Sequence, residues 1–316
     1  MRRPTPLLLP ALATVLLLSA CGTQHAGTGS TGPGASTPLP GARVTDPGVD
    51  GVRITSVNIP SSSVPSAFSP SPRRSLSVTA DRLPTGFVTG ISAAYEVTNR
   101  GSEAMTYTIL VDFTDDAGEV MGNQRETVRA VGPGKTVRGT VTLGAATPGS
   151  ASVTRAEVAD VTKVPAAEAP AEAGDCPSSG IRVTADEGDA AMGLRVVGLH
   201  LENCGSRDYA VHGYPLLELL DEEREPVDGV EILEGSGEIT TGAGPDVPPE
   251  PVTLKPGQAA RAGLVWRNTT DFGTPVNVPY VRIRAKEGAD PVVVTPGLDL
   301  GTTGKLGVRP WERAAG

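Results

Sequence analysis

The segment at residues 91–98, Ile-Ser-Ala-Ala-Tyr-Glu-Val-Thr, indicates the fold class. Its isoleucine, tyrosine and valine fall on alternate positions, the period of two that is typical of a half-buried β-strand. The same alternation returns in residues 107–113, after a polar turn at residues 99–102. Short alternating segments separated by turns predict a β-sandwich.

The pattern extends in both directions, so that residues 51–163 form one predicted unit. A first strand begins at Val52, and a last strand covers residues 153–161. Glycine-containing turns at residues 115–118 and 131–134 separate the strands between them, because glycine accepts the positive φ that tight turns need. About seven short strands of this kind predict an immunoglobulin-like sandwich.

A second β-sandwich is predicted for residues 176–316. Apolar side chains alternate with polar or small ones at residues 197–201, 260–266 and 281–283, and residues 292–294 are a run of valines typical of a buried strand. The predicted architecture is therefore all-β, with two immunoglobulin-like sandwich domains.

An alanine- and proline-rich linker, residues 164–175, joins the two predicted units. Pro165 and Pro170 argue against a helix there. Gly, Ser, Thr and Pro dominate residues 21–50, where almost nothing apolar could be buried, and this composition predicts a disordered tether.

Residues 1–20 are typical of a secretory signal peptide, with two arginines ahead of a short apolar run. The run is shorter than the roughly 20 residues of a permanent membrane span, and Pro10 interrupts it. It ends in Leu18-Ser19-Ala20-Cys21, which resembles a bacterial lipobox. The resemblance implies that Cys21 carries a diacylglycerol and anchors the mature chain to a membrane; the alternative is an ordinary cleaved signal followed by a chance cysteine.

The chain contains three cysteines. If Cys21 is lipidated, Cys176 and Cys204 remain, and an even pair in an exported chain predicts a disulfide. A metal or redox pair is the alternative, although the spacing is far from C-x-x-C.

Composition limits the classes of partner. The formal net charge is −9, and an acidic balance argues against nucleic acid, which needs a basic surface, and against a polybasic grip on anionic lipid. Only four Phe, five Tyr and two Trp are present, too few for an extended stacking platform.

Several motifs carry resemblances to known families. In the second unit, five segments occur in order: Cys176, Glu202-Asn203-Cys204, Gly213-Tyr214-Pro215, Leu254-Lys255-Pro256-Gly257 and Gly263-Leu264-Val265-Trp266-Arg267-Asn268. This order resembles domain-of-unknown-function family 4232, found in actinobacterial secreted proteins and lipoproteins, although many members place the second cysteine nearer Arg207. The family implies a β-sandwich and an envelope location, and it implies no catalytic residues.

The first unit is similar to FxLYD-type immunoglobulin-like domains of bacterial envelope proteins. The segments that carry this similarity are Val97-Thr98-Asn99-Arg100-Gly101, Val111-Asp112-Phe113, Asp116-Ala117-Gly118 and Gly132-Pro133-Gly134. The similarity implies a sandwich and does not specify a ligand.

Candidate catalytic and metal-binding side chains are sparse. Ser236 lies between two glycines, but Gly-x-Ser-x-Gly does not occur, and we interpret the segment as a flexible loop. His200 and His212 are too few for zinc, which takes three or four ligands. Two groups of acids are interpreted as solvated carboxylates rather than a calcium site or a glycosidase pair: Asp112, Asp115, Asp116 and Glu119 near a turn, and Glu231, Glu234, Glu238, Asp246 and Glu250 around a long loop.

The length and composition of that loop, residues 235–251, are equally consistent with a functional element and with a flexible insertion. The whole sequence predicts a protein on the outer face of the cytoplasmic membrane, lipid-anchored and extracellular, with a non-catalytic binding or scaffolding role. Its predicted partners are the membrane, through the N-terminal lipid, and an envelope protein, a wall polymer or a small ligand. No cofactor or metal is predicted, and ligand-binding residues are not identified. An enzyme of unrecognised type acting on the cell wall and an accessory lipoprotein that assists another exported protein are the alternatives.

Overall fold

The computed structural model describes residues 48–59, 90–144, 153–242 and 246–314. The regular secondary structure of this part consists of β-strands. No helix among the described residues is long and apolar enough to cross a membrane. The predicted signal peptide, the predicted lipidation site at Cys21 and nearly all of the predicted tether lie outside the described residues.

The first unit contains two three-stranded antiparallel sheets. One has the order β1-β2-β5 and the other β4-β3-β6. One hydrophobic cluster takes buried side chains from both sheets, as expected for a sandwich. The strands are β1 Val52–Asn58, β2 Ser92–Thr98, β3 Met105–Thr114, β4 Val120–Val131, β5 Thr136–Thr142 and β6 Arg155–Pro165.

The predicted inward faces of β2 and β3 are confirmed. Tyr107, Ile109, Val111 and Phe113 are all at most 2% exposed, and they lie on the face of β3 toward the core. In β5, Val141 is buried, whereas Val137 is 37% exposed.

Strand β4 escaped the sequence analysis for a physical reason. Most of its residues are exposed or half-buried, and among its last residues only Val128 and Val131 are buried. A strand whose side chains mostly face solvent shows no apolar alternation, so β4 is specified by its pairing with β3.

The second unit is a larger sandwich. Its main sheet has the order β12-β19-β14-β9-β7, with β8 also pairing with β9, and a second sheet has the order β11-β16-β17. The prediction of an all-β fold is confirmed. The strands are β7 Ile181–Ala185, β8 Asp189–Ala191, β9 Leu194–Asn203, β10 Tyr209–Val211, β11 Leu216–Leu220, β12 Glu231–Glu234, β13 Val252–Leu254, β14 Ala259–Arg267, β15 Asn277–Val278, β16 Tyr280–Arg284, β17 Val292–Val294, β18 Leu298–Asp299 and β19 Lys305–Arg313.

The first unit is closed at one end by a buried asparagine after β2. The Nδ2 group of Asn99 donates to the carbonyl oxygens of Glu103 and Val131, each at 2.7 Å, and its Oδ1 accepts the Gly101 N–H at 2.9 Å. One side chain thus ties the turn after β2 to the end of β4.

The second unit repeats this arrangement after β9. The Nδ2 group of Asn203 donates to the carbonyl oxygens of Arg207 and Leu254, each at 2.8 Å, and its Oδ1 accepts the Gly205 N–H at 3.2 Å. The two asparagines are 1% exposed, and each has the same three bonds. The units therefore share one structural plan.

The hairpin turns repeat as well. The Asp115 N–H donates to the Glu119 carbonyl at 3.1 Å and the Asp115 Oδ1 accepts the Glu119 N–H at 2.9 Å. Asp221 and Glu225 form the same pair of bonds at 3.0 and 2.8 Å.

The second unit has more residues than the first between its asparagine and the distant carbonyl that the asparagine binds. Asn99 and Val131 are 32 residues apart, whereas Asn203 and Leu254 are 51 apart. The additional chain includes β12, which crosses to the other sheet and pairs in parallel with β19.

The two units are joined by more than the covalent chain. Strand β6 runs to Pro165, two residues beyond the predicted end of the first unit, and a turn follows. In the linker, the backbone carbonyl of Glu168 accepts the Val293 N–H at 2.8 Å, and the Glu168 carboxylate accepts from Arg282 at 2.8 Å. A small hydrophobic cluster, which we call the seam, spans the junction: Val164, Leu220, Tyr280 and Val293, with Ala169 packed against it.

Candidate functional site

A cavity with a volume of about 1010 Å³ lies at the junction of the two units. We call it the junction cleft. The first unit contributes residues 48–53, the turn at 98–103 and parts of β3 and β6, and the second contributes Tyr280 and the hairpin tip at 222–224. Clefts between domains are common ligand sites.

Two residues that line the cleft have strained backbones. Asp50 has φ 51° and Arg224 has φ 68°, in the left-handed region that non-glycine residues avoid at a cost of roughly 1–2 kcal/mol. At the corresponding place in the first hairpin, the residue is Gly118, with φ 84°. Strain of this kind is found at functional sites; of the four non-glycine residues with positive φ in the described part of the chain, two line this cleft and two, Ala130 and Met192, do not.

Arg224 makes the contact that explains its position. Its Nη1 donates to the Glu103 Oε1 at 2.9 Å and lies 3.9 Å from the Met105 sulfur. The strained hairpin tip of the second unit is thereby held against the turn of the first unit.

The floor of the cleft is aromatic and hydrogen-bonded. The edges of Tyr107 and Tyr280 line it, and the Tyr280 hydroxyl accepts the backbone N–H of Lys163 at 3.3 Å. The Lys163 ammonium pairs with Asp50 at 2.9 Å. Burial, and then the Asp50 carboxylate, raise the pKa of the Tyr107 hydroxyl.

The disulfide predicted between Cys176 and Cys204 is confirmed, with a Cα–Cα distance of 5.7 Å. It ties the end of the linker to the turn after β9, and it lies outside the lining of the junction cleft.

The interpretation of Ser236 as part of a flexible loop was wrong. Ser236 is 1% exposed, and its N–H donates to the Asp246 Oδ1 at 2.6 Å, while the Gly237 N–H donates to Oδ2 at 2.9 Å. A Cβ added at Gly235 would lie 2.6 Å from the Asp246 Cγ. The Gly-Ser-Gly segment is thus a backbone cradle for a carboxylate of the same loop, and these backbone hydrogen bonds lower the pKa of Asp246.

Other acids of this loop are exposed, as expected. Glu231 and Glu238 both pair with Lys305, at 3.4 and 3.2 Å, and these two bonds raise the lysine pKa, with Glu238 the larger cause. The loop is therefore fastened at its beginning to β19; residues 243–245 lie outside the described part.

The remaining candidates are not brought together. His200 is exposed and its Nε2 lies 3.5 Å from Asp186, and His212 is exposed. Asp115 accepts the N–H groups of Ala117 and Glu119, which gives it a turn-forming role. Among the described residues, no group of three His, Cys, Asp or Glu side chains is placed to hold a metal ion.

The cleft residues were missed because none belongs to a motif with known chemistry. The available signal was the repeat itself: Asn-x-Gly-Ser occurs at residues 99–102 and 203–206, and Pro-Gly follows at 133–134 and 256–257. An alignment of the two units would have placed Arg224 opposite Gly118 and so indicated that Arg224 adopts a positive φ.

Comparison with known families found a match for the second unit. Residues 176–312 match the family described as Domain of unknown function (DUF4232), which confirms the predicted resemblance of this unit. The comparison with curated proteins found no match, and the comparison with solved structures found none either.

Proposed function

We propose that this chain is a lipid-anchored, extracytoplasmic binding protein whose ligand occupies the junction cleft. The observation that carries the proposal is a cleft of about 1010 Å³ between two sandwich units that the linker, the seam and the Arg224–Glu103 pair hold together. Such a scaffold offers a preformed surface, and preorganised surfaces bind with less loss of conformational entropy.

The location is supported by the sequence. The lipobox-like segment at residues 18–21 and the tether after it fit a lipoprotein held on the outer face of the cytoplasmic membrane. The resemblance of the first unit to FxLYD-type domains, and that of the second to an actinobacterial family, fit the same envelope setting. Replacing Cys21 with Ser is expected to move the protein from the membrane fraction to the medium, and retention of this variant in the membrane would contradict the lipid anchor.

The binding role is tested by obstructing the cleft. Ser102 is exposed and lines it, so Ser102→Trp fills space without disturbing the core. Ser206 is the exposed equivalent in the second unit, outside the cleft lining, which makes Ser206→Trp the matched control. Envelope extracts are fractionated into peptides, glycans and proteins, and binding to the immobilised mature chain is measured for each fraction.

We expect one fraction to bind the wild type and the control but not Ser102→Trp. Equal binding to all three variants would overturn the assignment of the cleft. Hydrolysis of a wall or peptide substrate, abolished by one substitution, would replace binding with catalysis as the function.

A further inference from the structure

The charges of the junction cleft divide into paired and unpaired groups. Lys163 pairs with Asp50, and Arg224 pairs with Glu103, both at 2.9 Å. Arg53 also lines the cleft and bonds to Glu96 through its guanidinium. Of these pairs, Arg224–Glu103 joins the two walls, whereas the other two lie within the first unit; all three leave little charge for a ligand.

Three charged side chains of the lining make no hydrogen bond or ion pair within the described part of the chain: Arg100, Glu222 and Glu223. All three are exposed. Arg100 belongs to the first unit and the two glutamates to the second, so the unpaired cation and the unpaired anions come from different walls of the cleft.

The backbones that carry these charges are fixed. Arg100 follows Asn99, whose three hydrogen bonds define the turn. Glu222 and Glu223 stand between Asp221, whose Oδ1 accepts the Glu225 N–H at 2.8 Å, and Arg224, which is held by Glu103. Charges on preorganised turns lose less entropy on binding than charges on mobile loops.

The floor between the two walls suits an apolar or aromatic side chain. Met105, Tyr107 and Tyr280 are at most 6% exposed, and they line the cleft. At this low exposure they contribute a small apolar part of the lining, and the Tyr280 hydroxyl is hydrogen-bonded to the Lys163 N–H.

We infer that the junction cleft binds a short peptide with a free amino and a free carboxyl terminus, whose carboxylate meets Arg100 and whose ammonium meets Glu222 and Glu223. A guanidinium is suited to a carboxylate because it offers parallel N–H donors. A ligand of one sign would be attracted by one wall and repelled by the other, whereas a zwitterion is complementary to both. The volume of about 1010 Å³ is at the upper end for small-ligand sites, roughly 300–1,000 Å³, and so favours an oligopeptide over a single amino acid.

This inference rests on the proposed function, since it names the ligand class of the same cleft. The probe is a randomised tetrapeptide pool with free termini, compared with the same pool acetylated, amidated or both. Peptides retained by the mature chain are identified by mass spectrometry, and the Kd of the most enriched sequence is measured by calorimetry.

We expect removal of either terminal charge to weaken binding about tenfold or more. Arg100→Gln should weaken the peptide with a free carboxylate but leave the affinity of its amide unchanged, and the double substitution Glu222→Gln, Glu223→Gln should behave likewise toward the ammonium and the acetyl form. Arg207→Gln, an exposed arginine outside the cleft, is the matched control and should change neither affinity.

The outcomes separate the two proposals. If a glycan or protein fraction binds and Ser102→Trp abolishes that binding, while no peptide is retained, the peptide inference is wrong and the binding function stands. Equal retention of free and capped peptides would also overturn the inference. If no fraction and no peptide distinguishes Ser102→Trp from the control, both proposals fail.

Discussion

The strained hairpin tip at Arg224 gives a prediction in which two effects can be separated. The residue has φ 68°, which costs a non-glycine residue roughly 1–2 kcal/mol. Its ion pair with Glu103 joins side chains that are 33% and 52% exposed, and pairs of this kind contribute about 0.2–1 kcal/mol. The backbone strain therefore exceeds what the ion pair returns.

Substitution by glycine and by alanine resolves the two terms. Both variants lose the ion pair, but only Arg224→Gly relieves the strain. Glycine also raises the entropy of the unfolded chain, an effect of about 0.4–1 kcal/mol in the opposite direction. We therefore expect Arg224→Gly to be more stable than Arg224→Ala by about 1 kcal/mol, although glycine carries the smaller side chain.

The chain provides a local probe for this measurement. Its two tryptophans, Trp266 and Trp311, are both buried in the second unit, so tryptophan fluorescence follows the unfolding of the unit that contains the hairpin. With a urea m-value of about 1.5–2 kcal/mol/M, the expected difference between the two variants is a shift of ~0.5 M in midpoint.

A third variant removes the ion pair without changing the hairpin. Glu103→Gln should lower the stability of the wild type by about 0.5 kcal/mol, and it should have little effect in Arg224→Gly or Arg224→Ala, because these variants have already lost the pair. Equal midpoints for Arg224→Gly and Arg224→Ala would refute the argument from backbone strain. An effect of Glu103→Gln in Arg224→Ala as large as its effect in the wild type would show that Glu103 does not act through this pair.

Other predictions concern the disulfide, the two buried asparagines and the Glu96 carboxylate. Replacing Cys176 and Cys204 with Ser opens a disulfide of sequence separation 28 and should lower the stability of the second unit by about 3.5 kcal/mol, measured by urea unfolding. Asn99→Ala and Asn203→Ala each remove the amide donor from two carbonyls, one of them buried, and should each cost about 2 kcal/mol, measured by circular dichroism. Two arginines hydrogen-bond to Glu96 and lower its pKa, so the carboxylate stabilises the fold above the ordinary glutamate pKa of about 4.3 and loses this effect as pH falls through its lowered pKa. Glu96→Gln should flatten the fall in unfolding midpoint over that acidic range.

Controls keep these predictions specific. Asn123 is exposed on β4, and Asn123→Ala should change stability by less than about 0.5 kcal/mol. If Asn99→Ala and Asn203→Ala both lowered stability as little as this control, the assigned role of the asparagines would be contradicted. For the disulfide, a reductant should destabilise the wild type and leave the serine variant unaffected. The opposite result would contradict the assignment of a stabilising disulfide between Cys176 and Cys204.

Some features follow directly from the residues. The buried faces of β2, β3 and β9 alternate in the sequence, because a half-buried strand must place apolar side chains on one side only. The turn at 115–118 and the pairing of Cys176 with Cys204 were readable for similarly local reasons: glycine permits a positive φ, and an even pair of cysteines in an exported chain tends to oxidise.

Features that depend on distant contacts were not readable. Strand β4 carries few buried side chains, and only β3 reveals it as a strand. Ser236 looked like part of a flexible segment, whereas its role is set by a carboxylate ten residues later that accepts its N–H. The acids around the same loop are exposed, as expected, but the pairing of Glu231 and Glu238 with Lys305 depends on a strand about 70 residues later and was not predicted.

The sequence by itself determined the all-β class and the main strand faces, since these depend on local periodicity and turn chemistry. Only the tertiary structure decided where the two units meet. The junction cleft combines Asp50, Arg100, Lys163, Glu222 and Tyr280, which are separated by up to 230 residues in the chain, and no local pattern marks a surface that exists only after both sandwiches have folded and docked. Arg224 illustrates the limit: its residue type suggests an ordinary solvated charge, and only its positive φ and its contact with the other unit show that it joins the two.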